Sequence, residues 1–230
     1  MLGVIAMSAR SIEHFADLIP RALFSESGKV FYSGRLAFSE GSALYVLGVN
    51  PGGDPENYRT QTVERHTRQV VNEFPADWSA YRDEVWEGAL PGTYGMAPRI
   101  LHLLRQLDLN PGAVPASNLI FVRSLREEHI RARQGGLADM CWPFHARVIA
   151  ELQPRLVLCL GGTAGRYICQ KLGATELIDE FIEQNDRRWR SRCFSGASGA
   201  RVLVATHPSI ADWTAPATDP SALIKRALSK

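Results

Sequence analysis

Apolar positions along this chain fall into two rhythms. Four short unbroken runs stand out: Ala43 to Val49, Leu119-Ile120-Phe121-Val122, Leu156 to Leu160 and Val202-Leu203-Val204-Ala205. Uninterrupted runs of this length read as strands buried on both faces, as in a parallel sheet. Between them apolar residues recur at helical spacing. Ile12, Phe15, Leu18 and Ile19 follow Ser11, which serves as a cap, although His14 stands where a capping box needs Glu or Gln. Further helices are predicted over 62–74, with Pro75 ending it, and around Ile100, Leu101, Leu103, Leu104 and Leu107. Others run from Asp139 to Gln153, from Gly161–Gly165 to Leu172, over 175–181, and from Asp219 to Lys230. Val30-Phe31-Tyr32 and Leu36-Ala37-Phe38, flanking Ser33-Gly34, read as a small β-excursion, and 185–192 as a charged turn with four Arg.

Strand and helix therefore alternate, with crossovers long enough for right-handed βαβ connections. The expected architecture is α/β, a three-layer α/β/α arrangement around a central four-stranded, mostly parallel sheet. A single domain over 1–230 suits the length. Such a sheet binds ligands at the carboxyl ends of its strands. The long insertion Pro55 to Trp86, polar with aromatic interruptions, is expected to lie over that edge.

Composition narrows the classes. Hydrophobic residues at 45% and charged residues at 22% are ordinary for a globular protein, and the net charge of +2 permits a nucleic-acid partner without demanding one. No apolar run reaches the roughly 20 residues of a membrane span. Met1 to Arg10 has an apolar start without a basic n-region, so no signal peptide is expected. Cys141, Cys159, Cys169 and Cys193 form no CxxC pair and no zinc or iron–sulfur spacing; dispersed thiols fit a cytoplasmic location, with no metal or other cofactor. Gly161 to Gly165 lacks the GxGxxG pattern and a P-loop Lys, and there is no GxSxG elbow.

Two strands end in polar signatures: Gly48-Val49-Asn50-Pro51-Gly52-Gly53 after the first and His207-Pro208-Ser209 after the last. In a parallel sheet both arrive at one edge, bringing an amide, an imidazole and backbone N–H groups to one crevice. Singly, Asn50 before Pro51 also fits a turn residue, His207 a structural histidine and Tyr94 a loop-packing aromatic. The Arg-rich stretches at 123–133 and 187–192 fit solvated faces or phosphate-tracking patches.

Together the two signatures resemble the GxNPG and HPS motifs of the uracil-DNA glycosylase superfamily, in the same order. Gly92-Thr93-Tyr94-Gly95 resembles the loop that carries the base-stacking aromatic, and Leu158 to Tyr167 is similar to the third-strand segment LLG-x-x-A. The resemblance spans roughly residues 40 to 215. Asn at position 50 points to the mismatch-specific and single-strand-selective branches or to another relative, and the lack of cysteine clusters argues against the iron–sulfur branch.

The resemblance implies hydrolysis of the N-glycosidic bond of uracil or a related damaged base flipped from DNA, in base-excision repair. Asn50 would orient the attacking water and His207 would donate a hydrogen bond to the base. Gly48, Pro51, Gly52, Gly53, Tyr94, Ser124 and Ser209 would line the substrate site, and Ile210 and Trp213 are the candidates for a wedge in the duplex. The partner implied is damaged or single-stranded DNA, with no membrane and no obligate protein partner. One departure stands out. The family reads the base with an Asn at the exit of the second strand. Taking Phe121-Val122 as that strand puts Ser124 or Arg123 in the slot and leaves Asn118 at the strand's start, on the opposite edge. A Ser hydroxyl cannot make a two-point amide contact, so a binding protein of the same fold without catalysis is one alternative; hydrolysis of a small nucleoside, with the aromatic insertion Tyr58 to Trp86 capping the pocket, is another.

Overall fold

A computed structural model describes residues 11–39, 41–196 and 199–229. The apolar start at Met1 to Arg10 lies outside the described residues. In chain order the principal elements are α1 (Ile12–Ala16), α2 (Arg35–Ser39), β1 (Leu44–Gly48), α3 (Val63–Asn72), α4 (Ala80–Asp83), α5 (Ala97–Gln106) and β2 (Ala116–Asn118). There follow α6 (Gln134–Leu152), β3 (Leu156–Leu160), α7 (Gly162–Leu172), β4 (Ala174–Ile182), β5 (Arg190–Gly196), β6 (Arg201–Ala205) and α8 (Ser221–Ser229).

The sheet has six strands in the order β2-β1-β3-β6-β5-β4, not four. β2, β1, β3 and β6 are mutually parallel, and β5 and β4 add an antiparallel extension beyond β6. β1 and β3 are buried at every position, which is why their sequences read as unbroken apolar runs. Period-two alternation sorts their side chains into two cores. Tyr45, Leu47, Val157 and Cys159 face α1, α2, α3, α6 and α7, whereas Leu44, Val46, Leu156 and Leu158 face α5 and α8. The α/β class and the three layers follow directly.

Local chemistry explains the helix ends near the site. The Thr62 hydroxyl accepts the Arg65 N–H at 3.2 Å and caps α3. At its other end the Arg35 guanidinium donates to the carbonyls of Val71 (2.9 Å) and Phe74 (3.0 Å), satisfying acceptors that a helix terminus leaves unpaired. α6 ends on Gln153 with φ 47°, immediately before Pro154.

Four local expectations are corrected. Residues 175–181 form part of β4 rather than a helix, because two register irregularities in its pairing with β5 break the strand alternation. The charged turn is shorter than expected, since Arg190 and Arg192 belong to β5. Leu36-Ala37-Phe38 sits in α2, and only isolated bridges such as Phe31 with Ser117 mark the supposed β-excursion. Finally, β2 is Ala116–Asn118 and precedes the apolar run at Leu119–Val122. Asn118 therefore pairs with Gly48 at the carboxyl end of both strands.

Candidate active-site cleft

The carboxyl ends of the four parallel strands open into a cleft of about 1280 Å³. Gly48, Asn50, Asn118, Ser124, Gly161 and His207 all line it. The two polar signatures thus share one crevice, as their strand order requires.

Asn50 follows β1, and its side chain has a defined orientation. The amide nitrogen lies 2.8 Å from Ser124 Oγ, 3.0 Å from the Pro51 carbonyl and 3.3 Å from the Val122 carbonyl. Carbonyls only accept, so the NH2 end must face them. Oδ1 has no hydrogen-bond partner among the described residues and is the acceptor left for a ligand or water. The backbone reinforces this arrangement. Ser124 N–H donates to the Pro51 carbonyl (3.1 Å), and Gly52 bridges Ser124 in parallel sense.

Ser124 consequently has a different place from the one expected. Its hydroxyl donates to the Arg126 carbonyl at 2.9 Å and accepts from Asn50. It braces Asn50 and does not occupy the strand-exit slot. That slot holds Asn118, which is 4% exposed. A Cβ on Gly48 would stand 2.1 Å from Asn118 Oδ1, so only glycine lets the amide lie across the end of β1. Arg123, the other candidate for the slot, is 2% exposed. It donates to the Gly52 carbonyl and to Gln61, and its guanidinium sits 4.4 Å from the Tyr58 ring centre. Arg123 thus fastens the Gly52-Gly53 turn to the insertion.

His207 follows β6. Ser209 N–H donates to its Nδ1 at 3.1 Å, and Ser209 Oγ lies 2.7 Å from the same nitrogen. A backbone N–H can only donate, so Nδ1 is the acceptor and the neutral ring carries its proton on Nε2. Burial lowers the His207 pKa from its ordinary value, with Glu127 opposing, so the ring is neutral at pH 7. Gly161 packs beside the ring at φ 97°, a backbone conformation that favours glycine.

Tyr94 stands apart. It is 45% exposed and lines a second cavity of about 190 Å³ together with Lys29, Tyr32, Tyr81, Glu84 and Trp86. Gly52 and Met96 line both cavities, so the two adjoin. Within the smaller one Lys29 pairs with Glu84, and burial holds its ammonium pKa below the ordinary value. The wedge candidates separate as well. Ile210 is 55% exposed on the cleft rim. Trp213 is fully buried, and its Nε1–H donates to the Thr206 carbonyl at 3.1 Å. Trp213 is a core anchor for the loop after His207 and is not a wedge.

Sequence reasoning did not single out two contributors. Asn118 ends a short, largely polar strand directly ahead of the apolar run Leu119–Val122, which carries the stronger strand pattern. Trp189, 40% exposed on the cleft wall, sits in a charged stretch without periodicity. Arginines of both flagged stretches reach the cleft: Arg126, Arg188, Arg190 and Arg192 line it together with Arg166 of α7, against one carboxylate, Glu127. The charge is locally positive despite the near-neutral total. Among the described residues no three of His, Cys, Asp and Glu assemble as a metal site, and no helix is long and apolar enough to cross a membrane. Comparison of the chain with protein-family models and with curated protein sequences found no match.

Proposed function

We propose that the protein is a DNA glycosylase that hydrolyses the N-glycosidic bond of uracil or a related damaged base flipped out of DNA. The observation that carries this reading is the pairing of a fixed Asn50 carbonyl acceptor with a neutral, Nε2-protonated His207 in one positively charged cleft. As the glycosidic bond lengthens, the sugar gains oxocarbenium character and the base takes the bonding pair. His207 Nε2–H donates to the base oxygen on which that charge develops, without losing its proton. Asn50 Oδ1 accepts from the water that adds to the sugar carbon. An amide has no useful basicity, so it aligns the water, and the proton is lost after the sugar has become cationic.

Asn118 supports the same reading. Its amide offers one acceptor and one donor site at the strand exit, the pair needed to match a ring N–H beside a carbonyl, as on uracil. The binding-only alternative rests on a hydroxyl in that position, and an amide at the end of β2 favours the glycosylase reading over it. The five arginines suit a polyanionic substrate.

The test is abasic-site formation on single-stranded and mismatched duplex oligonucleotides carrying uracil, hypoxanthine or xanthine. Alkali-labile sites are expected with at least one of these bases. No strand scission with any of them would overturn the proposal.

A further inference from the structure

The β4–β5 hairpin is an extension beyond the four parallel strands that carry the candidate catalytic groups. Its tip is tightly built. Asn185 Oδ1 accepts the N–H groups of Arg187 (3.1 Å) and Arg188 (3.3 Å). The Glu183 carboxylate, 1% exposed, accepts from Asn185 Nδ2 and Arg187 Nη2, both at 3.0 Å. Arg187 then does two further things. Its guanidinium lies 4.2 Å from the Trp189 ring centre, and its Nη1 donates to the Ile210 carbonyl at 2.6 Å. The tip is thereby fastened to the loop that carries His207.

The consequence is a rigid aromatic surface on the cleft wall. Arg187 stacks on the Trp189 ring, yet the side chain stays 40% exposed and lines the cleft with Ile210. Arg188, Arg190 and Arg192 flank it along the same wall. Arg190 and Arg192 share Glu180 at 2.7 and 3.6 Å, whereas Arg188 forms no ion pair among the described residues. An exposed aromatic face beside a row of cations is the arrangement that binds unpaired bases and their phosphates together. A paired duplex hides its base faces and cannot use the indole in this way.

We infer that the β4–β5 hairpin is a single-strand-binding arm in which Trp189 stacks on an unpaired base of DNA lying along the cleft, with Arg188 contacting the backbone. This rests on the DNA reading of the site and adds to it a strand preference and a contact outside the two recognition motifs. It makes Trp189, not Trp213, the aromatic that meets DNA.

The test measures binding of the full chain to a labelled single-stranded DNA oligonucleotide, the matching duplex and an RNA of the same sequence, over a salt series. The expected result is tighter binding to single-stranded DNA than to the other two. Trp189→Ala should weaken that binding by about 5- to 150-fold, the range set by one base–aromatic stack. Trp189→Phe should restore most of the affinity while losing part of the fluorescence quenching that DNA produces in the wild type. Arg188→Ala should flatten the log–log salt slope by about 0.7. Unchanged affinity in Trp189→Ala, with circular dichroism showing the wild-type fold, overturns the inference, as does duplex or RNA binding as tight as single-stranded DNA. Failure of the glycosylase reading has a separate signature: Trp189-dependent DNA binding with no base release.

Discussion

The Asn50 amide nitrogen lies 2.8 Å from Ser124 Oγ, and with the Pro51 and Val122 carbonyls this contact fixes which end of the amide faces the cleft. Ser124 is tied in turn to the Arg126 carbonyl. The pair sets Oδ1 as the acceptor presented to a ligand. Ser124→Ala removes one of three acceptors and leaves the two carbonyls in place. Base release in single-turnover kinetics should therefore slow by about 2- to 10-fold, the worth of one neutral hydrogen bond, with DNA affinity unchanged. Equal loss in rate and affinity would mean that Ser124 touches the substrate itself.

Gly48 makes a second prediction. Alanine there would place a methyl 2.1 Å from Asn118 Oδ1, and Asn118 is nearly fully buried. Gly48→Ala should cost about 1–3 kcal/mol through overpacking, a fall in melting temperature of about 3–10 °C for a chain of this size. It should also blunt discrimination between bases, because the amide must move. Thermal melts and a base-release panel check both effects.

The imidazoles predict an acid limb. His207 and His66 have pKa values lowered by burial, and burial lowers His145 to about 4. For each, the unfolded chain titrates near 6.5 and the folded chain binds protons only at lower pH, so the unfolded state holds more protons between the two values. Stability is fully present above about pH 6.5 and declines as pH falls toward the folded values. Base release should decline on the same side, since protonated His207 would aim an Nδ1–H at the Ser209 N–H. Melts and rates from pH 8 to 4.5 check this. A flat melting temperature across that range would contradict it.

Trp213 and Ile210 should behave oppositely. Trp213→Ala empties a fully buried site and removes the bond to the Thr206 carbonyl, so a loss of about 3–5 kcal/mol in stability is expected. Ile210→Ala, at an exposed rim position, should leave stability within about 0.5 kcal/mol and alter only DNA handling. Denaturant unfolding of the two variants separates the roles.

Much of this organisation was legible in the chain, for a physical reason. β1, β3 and β6 pack side chains into a core on each face of the sheet, so their sequences are apolar runs, and β1 and β6 end abruptly in the polar signatures that carry Asn50 and His207. β2 was misplaced because Leu119–Val122 is as apolar as a strand. That segment continues into the core, with Lys29 N–H bonded to the Phe121 carbonyl, while the short strand itself carries Ser117 and Asn118. β4 was hidden by its charges and by its irregular pairing. Glu176, Asp179 and Glu180 sit on an edge strand, where charge suits an unpaired backbone, and Glu180 pairs across to Arg190 and Arg192. Trp189 carries no local signal, because only the hairpin brings it to the cleft.

The most direct test of the central claim compares Asn50→Ala and His207→Ala with the wild type, on a single-stranded oligonucleotide carrying one susceptible base. Base release and DNA affinity are measured on the same preparations. Each substitution should slow base release by at least about 100-fold, the scale for losing one transition-state hydrogen-bonding group, with DNA affinity within a few-fold of wild type. Base release at the wild-type rate in either variant would contradict the assignment of Asn50 and His207 as the reacting pair.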